Sequence, residues 1–299
     1  MLTQRTVQLN QRTVVVAGVK TTALENKSSK TPLVFLNGGV SGVAPYCSGS
    51  HIWGSSLGLF AAERSVIAID LPGTGGTGVP KDGLCVDTMT RHVRESLDAF
   101  GIERCHIVGH DLAGLIALML AAELPGRVRG VTAVSALAAA PTGDSLENLT
   151  LKHPPAPLWS RASQKWALEQ LSYSHHPIDG VLLDACVAAA KGEAHAAAQA
   201  AMGSGRHADV FVPSLLGAKG RFYEIARTVG ISVPVQVIWG THDPLGTLDQ
   251  GLWLYKIVAA KQTASQFHVI NRAGALPFLE EPGVFHSMVS AFAEVVFPV

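Results

Sequence analysis

The chain has 299 residues, of which 47% are hydrophobic and 15% are charged. Equal numbers of basic and acidic residues, 23 of each, give a formal net charge of zero. This balance excludes the basic surface that nucleic acid or an anionic membrane requires, and the apolar content excludes a disordered chain. The length suits one large domain, or a core domain that carries an insert.

The four cysteines form neither a C-x-x-C pair nor a metal-binding pattern with histidine. We therefore expect reduced thiols, no metal ion and a cytoplasmic location. The N-terminal residues lack the pattern of a signal peptide, and no window reaches the roughly 18 apolar residues of a membrane-spanning helix. A soluble protein without a cofactor is expected, as a monomer or a homodimer.

Short β-branched segments alternate with helical patterns in the first half of the chain. Each segment ends in or near Gly or Pro and is apolar enough for a strand buried on both faces of a sheet. Residues 86–100 form an amphipathic helical pattern, and residues 111–124 form an almost wholly apolar one. The predicted strands are 13–18, 32–39, 65–73, 105–110 and 129–136. This order of strands and helices predicts a parallel sheet with helices on both faces.

The second half begins with a change of pattern. Residues 141–230 are rich in Ala and Pro and contain helical patterns without a clear strand. Strands at 233–240 and 265–270 then alternate with helices at 248–260 and 281–295. The expected organisation is a core formed by residues 1–140 and 231–299, with residues 141–230 inserted between its strands as a helical cap.

The glycine-rich segment 73–78 matches G-x-G-x-x-G after a predicted strand, as a dinucleotide site would. That site needs a helix to begin at once, because the helix N-terminus binds the pyrophosphate. Pro80 and Gly83 instead indicate a continuing loop. The segment is interpreted as a flexible turn, with a dinucleotide site as the weaker alternative.

The segment around Asp111 joins a predicted strand to the apolar helix. Gly109 and Ala113 are the small residues two positions before and after Asp111, and Gly114 follows. Small neighbours are needed where a nucleophile lies on a tight, strained turn between strand and helix. An ordinary helix N-cap is the alternative explanation for Asp111.

Several motifs follow one another in a recognisable order. They are the N-G-G loop at Asn37, the D-x-P-G-x-G loop at Asp70, the G-H-D turn, the T-H-D-P loop at Asp243, and the G-A-L-P-F-L-E-E-P segment at Ala275. Together they resemble the α/β-hydrolase fold superfamily over nearly the whole chain. The G-H-D turn is most similar to the epoxide hydrolase and haloalkane dehalogenase branch, in which Asp is the nucleophile.

This resemblance implies a role for each motif. Asp111 attacks an sp³ carbon and forms an alkyl ester, whose oxygen binds the backbone N–H groups of Gly39 and Leu112. Asp243 orients a histidine that activates water for ester hydrolysis. Ala275 occupies the position of that histidine, so the standard second step lacks its base.

Two explanations of Ala275 remain open. Either the histidine was removed by engineering, or the site is naturally degenerate. Asn37 favours the second explanation, because the family commonly has His at the start of this loop.

Further residues are candidates for the substrate pocket. His51 is a candidate replacement base, Tyr173 and Tyr223 are candidate proton donors to an epoxide oxygen, and Trp159 and Trp166 are candidate wall residues of the cap. Each of them also fits a purely structural role. The full set of candidate pocket residues is Asn37, Gly38, His51, His110, Trp159, Trp166, Tyr173 and Tyr223.

The leading prediction is an epoxide-hydrolase-like enzyme that acts slowly, or stalls, on a small apolar organic substrate. Leu112 argues against a dehalogenase, because those enzymes have Trp or Arg at this position. One alternative is an ester, lactone or C–C hydrolase, or a lyase or isomerase, that uses Asp111 as a base. Another alternative is a ligand-binding protein that has lost its chemistry.

Overall fold

The computed structural model describes residues 9–26, 28, 31–141 and 148–297, and within them eight strands form one sheet. The strands are β1 (Asn10–Val16), β2 (Val19–Glu25), β3 (Leu33–Leu36), β4 (Val66–Ile69), β5 (Cys105–His110), β6 (Val128–Val134), β7 (Val235–Gly240) and β8 (Gln266–Ile270). Their order is β1-β2-β4-β3-β5-β6-β7-β8. All neighbours from β4 to β8 are parallel, while β2 is antiparallel to both β1 and β4. The predicted mostly parallel sheet is confirmed.

The N-terminal hairpin differs from the sequence prediction. The predicted strand at 13–18 ends at a turn in which Ala17 and Gly18 both have positive φ, of 47° and 82°. The chain then returns as β2, which was not predicted. Polar residues hid this strand, because Thr21 and Thr22 are buried in it and their hydroxyls are satisfied by hydrogen bonds to His92 and to the Gly76 oxygen.

Helices cover both faces of the sheet. They are α1 (Ser56–Ala61), α2 (Val86–Ala99), α3 (Leu112–Glu123), α4 (Arg161–Leu171), α5 (Gly180–Ala190), α6 (Glu193–Met202), α7 (Val212–Thr228), α8 (Leu248–Ala259), α9 (Pro277–Glu280) and α10 (Pro282–Val296). The core with α2, α3 and α8 lies on one face, and the core with α1 and α10 lies on the other. Helices α4 to α7 fall inside the interval for which a helical insert was predicted. None of the helices in the described ranges is long and apolar enough to cross a bilayer.

Helix α3 is enclosed by the core on almost every side. Its residues from Leu112 to Ala121 are all buried, and it contacts β5, β6, α2 and α7. A helix that is apolar all round needs such an enclosed place, which explains why the sequence has no polar stripe here. The N-terminus of α3 is therefore held rigidly against the sheet.

An aromatic cluster fixes the opposite face. The Trp53 ring, which is fully buried, lies 5.0 Å from the Phe35 ring, 4.4 Å from Phe278 and 6.3 Å from Phe285, measured between centroids. Trp53 ends a 3₁₀ turn (Ser50–Trp53), while Phe35 lies in β3 and Phe285 in α10. The cluster thus ties the loop after β3 to the C-terminal helices.

Buried polar side chains cross the three central strands. His106 Nε2 lies 2.8 Å from Thr132 Oγ1, and this hydroxyl donates to Gln236 Oε1 at 2.9 Å. Gln236 Nε2 donates to the backbone oxygen of Met288 in α10 at 3.1 Å. We call His106, Thr132 and Gln236 the polar ladder. All three side chains are fully buried, so loss of any one would leave a buried polar partner without a hydrogen bond and would destabilise the fold. The polar ladder thereby holds β5, β6 and β7 in one register.

Replacement of Trp53 by Ala should remove about 3–5 kcal/mol from the free energy of unfolding, because it opens a cavity in the aromatic cluster. Urea denaturation followed by circular dichroism measures this loss. The control is Trp253→Ala, since Trp253 is 55% exposed on α8 and its loss should cost less than about 1 kcal/mol. Equal effects of the two substitutions would contradict the importance of the cluster.

Candidate active site

The candidate residues meet at the carboxyl edge of the sheet. Gly38 and Gly39 follow β3, Asp111 follows β5, Ser135 follows β6 and Asp243 follows β7. Parallel strands present these ends at the same edge, where ligands of open α/β sheets bind.

Asp111 lies on a tight turn between β5 and α3, with φ of 48° and ψ of −113°. A Cβ atom at Gly109 would lie 2.4 Å from the backbone oxygen of Ala113, and a Cβ atom at Gly114 would lie 2.5 Å from the Ala136 Cβ. A larger residue at Gly109 or Gly114 would therefore collide with its neighbours, which agrees with the need for small residues that the sequence indicated. The Asp111 carboxyl makes no capping hydrogen bond to α3, so the ordinary N-cap explanation does not account for it.

The Asp111 side chain opens onto a cavity of about 570 Å³. Most of its lining is apolar, with a few polar groups, a composition common in sites for small organic ligands. The described residues that line it are Gly39, Val40, Val43, Ala44, Pro45, Tyr46, Asp111, Leu137, Asn148, Leu151, Lys152, His207 and Leu245.

The Tyr46 hydroxyl shares this cavity with Asp111. A Cβ atom at Gly39 would lie 3.0 Å from the Tyr46 hydroxyl oxygen, so the phenol approaches the N-G-G loop closely. Tyr46 is 6% exposed, and burial followed by the charge of Asp111 raises the pKa of its hydroxyl well above the ordinary value. The hydroxyl makes no hydrogen bond to the part of the chain that the structure describes. It is therefore a protonated donor on a residue that lines the cavity.

Two backbone N–H groups are available beside the carboxylate. Leu112 is the first residue of α3, so its N–H has no carbonyl partner one turn earlier in the helix. Gly39 has φ of 88°, and its N–H donates no hydrogen bond to any described residue. Both groups fit the predicted role of donors to an oxyanion.

Asp243 is held by backbone groups instead of a histidine. Its Oδ1 accepts hydrogen bonds from the N–H groups of Leu245 at 2.9 Å and Gly246 at 3.2 Å. Burial raises its pKa to about 6, with a smaller contribution from the charge of Asp111. Ser135 favours the ionised form, although its buried hydroxyl makes no hydrogen bond of normal geometry.

Ala275 is buried, and both of its backbone groups are bonded. Its N–H donates to the Leu171 oxygen at 2.8 Å, and its own oxygen accepts a hydrogen bond from His110 Nε2 at 2.9 Å. The methyl group offers no proton acceptor. His110 is itself buried against Trp53 and Phe278, and burial lowers its pKa, so the neutral ring links the Asp111 turn to the Ala275 segment.

Three candidates on the core side have structural roles. Asn37 is fully buried and bonds Ser48, Thr74 and the N–H of Leu71, which fixes the loop after β3. Gly38 provides space, since a Cβ atom there would lie 2.3 Å from His110 Nδ1. His51 Nε2 donates to the Cys47 oxygen at 3.0 Å, and the charge that acts on the His51 ring is that of Asp70. His51 is therefore not positioned as the replacement base.

The aromatic candidates of the insert do not line the cavity. Trp159 donates its indole N–H to the Ala44 oxygen at 2.9 Å, which leaves no donor for a halide, and Trp166 packs against the aromatic side of the core. Tyr173 is 45% exposed and lies on the His242 ring. Tyr223 donates to the Ala139 oxygen at 3.0 Å, so neither tyrosine presents a free hydroxyl to Asp111.

Sequence reasoning missed Tyr46 and His207. Tyr46 lies in the loop 40–53, which the sequence already placed at the catalytic edge. The signal that made His51 a candidate therefore applies equally to the Tyr46 hydroxyl. His207 follows a glycine-rich break between two helical patterns, and only the folded structure brings it to the cavity. Among the residues that the structure describes, no three His, Cys, Asp or Glu side chains group as metal ligands.

A mostly parallel eight-stranded sheet, with helices on both faces and a tight strand-to-helix turn after β5, is the architecture of the α/β hydrolase class. Residues 31–282 match the pattern of the alpha/beta hydrolase fold family, and the chain belongs to that family. This membership supports hydrolase activity and leaves the kind of substrate open.

Known proteins resemble the chain to different extents. A meta-cleavage product hydrolase from Pseudomonas fluorescens IP01 superimposes with a TM-score of 0.76 and 22% identity, over 95% of this chain and 97% of that one. A serine hydrolase from Cycloclasticus zankles gives a TM-score of 0.77 and 18% identity, over 98% of this chain and all of that one. Both likenesses show the fold.

A curated relative shares more identity over a shorter segment. The "Putative carbamate hydrolase RutD" of Variovorax paradoxus is 40% identical over 105 residues, which are 34% of this chain and 37% of the relative. The match thus spans little more than a third of that protein's length.

Replacement of Asp243 by Asn should stabilise the protein above pH 6. The pKa of the Asp243 carboxyl is raised in the folded protein, so its ionisation destabilises the fold. This destabilisation is absent below about pH 4 and complete above about pH 6. Asn keeps an oxygen for the two backbone N–H groups, and we expect a gain on the order of 1–2 kcal/mol at pH 8 and none at pH 3.5. Thermal unfolding across this pH range measures it. The exposed control Glu103→Gln should show no such pH-dependent gain, and a destabilised Asn variant at pH 8 would refute the argument.

Proposed function

We propose that the chain is a hydrolase in which Asp111 is a nucleophile and forms an ester with a small apolar electrophile of the epoxide class. The observation that carries this proposal is the Asp111 carboxylate, which faces the cavity without a capping hydrogen bond and beside the unpartnered Tyr46 hydroxyl. The N-terminus of α3 attracts an anion to this position. The backbone turn positions this carboxylate, and its oxygens make no capping hydrogen bond, so they are available to act as a nucleophile.

The first step is formation of the ester between Asp111 and the epoxide. An Asp111 oxygen bonds to an epoxide carbon, the ring C–O bond breaks, and the ring oxygen takes the proton of the Tyr46 hydroxyl. The products are a hydroxyalkyl ester and a Tyr46 phenolate, which regains a proton from water. Ester formation removes the charge of Asp111, which is one cause of the raised Tyr46 pKa, so Tyr46 becomes a better donor as the reaction proceeds.

The second step is hydrolysis of the ester. In this proposal the Gly39 and Leu112 N–H groups bind the oxyanion that forms when water attacks the ester carbonyl. Ala275 supplies no base, so this step limits turnover. Residues 141–230 act as a cap, because Asn148, Leu151, Lys152 and His207 line the cavity from this part of the chain.

A second candidate is base catalysis by Asp111 without an ester. It is favoured by Asp243, whose carboxyl is bound to backbone N–H groups and which has no histidine at position 275 to orient. Asp111 takes a proton from a carbon acid or from water, while Tyr46 gives one to a substrate oxygen. The names of the relatives, "Putative carbamate hydrolase RutD" and meta-cleavage product hydrolase, fit hydrolysis of a substrate other than an epoxide.

Incubation with a panel of small epoxides should add the mass of one epoxide to the intact protein, and peptide mapping should locate it on Asp111. Asp111→Asn should abolish the adduct, while Asp184→Asn, an exposed acidic position on α5, should leave it unchanged. Turnover that requires Asp111 but leaves no adduct would favour base catalysis. Binding with neither adduct nor turnover would favour a ligand-binding protein.

Replacement of Ala275 by His should shorten the lifetime of the ester by roughly 10²-fold, because it restores a general base beside Asp243. Time-resolved intact mass measurement after removal of free epoxide gives this lifetime. Ala275→Gln is the matched control, since it adds a polar side chain of similar reach that is not a base. An equally long-lived adduct in a folded His variant would refute the assignment of position 275.

A further inference from the structure

His207 brings an imidazole to the Asp111 cavity from a position that the family pattern does not use. It lines the cavity together with Asp111, Tyr46 and Gly39, although it lies almost a hundred residues beyond the candidate nucleophile. A side chain that shares a cavity with a nucleophile is available to act on what the nucleophile binds.

The local backbone is shaped to present this side chain. The chain leaves α6 through residues 203–205, where Ser204 and Gly205 have φ of 52° and 81°. It then forms a π-helical turn (His207–Phe211) directly before α7. Turns of this kind are rare and occur frequently at functional sites. The His207 ring is stacked on the Phe211 ring, at 5.7 Å between centroids and 20° between planes, and Phe211 is buried.

The other proton-exchanging groups of the cavity are committed elsewhere. Among the described lining residues, Asp111 is consumed when the ester forms, and Tyr46 has a raised pKa that keeps it a donor. Lys152 already interacts with another group of the chain. His207 has no hydrogen bond to a described residue, which leaves its ring nitrogens available to water.

We propose that His207 is the general base for hydrolysis of the Asp111 ester, an inference that rests on the proposed function. A water molecule between the imidazole and the ester gives a proton to His207, and its oxygen bonds to the carbonyl carbon. The tetrahedral oxyanion binds the N–H groups of Gly39 and Leu112. Its collapse breaks the bond to the alcohol oxygen, which takes the proton back from His207. The products are a diol and the Asp111 carboxyl group, which then releases its proton to water and becomes the carboxylate again.

The size of the cavity allows this arrangement. Its volume of about 570 Å³ accommodates a small ester together with several water molecules, each of which occupies about 30 Å³ in the liquid. A general base can act through one intervening water, so direct contact between His207 and Asp111 is not required.

The test separates ester formation from ester decay. The protein is mixed with an excess of a small epoxide, free epoxide is removed, and intact mass is followed with time. His207→Gln should leave formation unchanged and slow decay by roughly 10-fold or more. The control His176→Gln changes an exposed histidine before α5 and should leave both rates unchanged. In His207→Ala, added imidazole should restore the decay rate, which a purely structural role would not produce.

Each contrary result has a distinct meaning. Absence of an adduct in the wild-type chain overturns both this inference and the nucleophilic role of Asp111. A wild-type adduct that never decays, or that decays equally fast in His207→Gln, overturns only the role of His207. Slow decay in His207→Ala without rescue by imidazole also overturns it, because the side chain then acts through structure alone.

Discussion

The positive φ of Asp111 is the constraint on which the candidate site depends. A non-glycine residue in this region costs on the order of 1–3 kcal/mol, and it persists only where the surroundings enforce it. Here they do so through glycines, because a Cβ atom at Gly38, Gly109 or Gly114 would collide with His110, Ala113 or Ala136. The buried α3 adds a rigid support. The result is a carboxylate that lines the cavity and makes no capping hydrogen bond to the helix.

The methyl group at position 275 makes one contribution to the electrostatics of the site. In a site with a histidine there, an imidazolium can form between the two acids, whereas this chain has Asp111 and Asp243 in electrostatic contact without that cation. Burial is the largest cause of the pKa of about 6 at Asp243 and of the raised pKa of Tyr46, and the charge of Asp111 adds to both. A reaction that neutralises Asp111 removes its contribution to both pKa values, while the larger contribution of burial remains. Ester formation is such a reaction, so the charge distribution favours capture of an electrophile over its release.

The sequence predicted the sheet better than it predicted the walls of the site. Buried parallel strands such as β5 and β7 are continuous apolar runs, and the Asp111 turn is marked by local small residues, so both are recognisable without the fold. Strand β2 was missed because its buried threonines are satisfied by distant partners. Tyr46 and His207 depend on how a loop and a π-helical turn pack, and these are tertiary properties. Tyr173 and Tyr223 had the right chemistry, but an aromatic residue in an insert does not reveal which side it faces.

The polar ladder gives the site a dependence on residues that no substrate touches. The strands that it joins, β5, β6 and β7, are those that lead to Asp111, Ser135 and Asp243. A slip of one residue between strands reverses the face of every side chain, so the ladder fixes the relative heights of the three strand ends. Substitution of His106, Thr132 or Gln236 should therefore affect the chemistry of the candidate site at the carboxyl edge of the sheet. A buried His, Thr and Gln on adjacent strands could accordingly identify distant proteins that share this spacing even where their pocket residues have diverged.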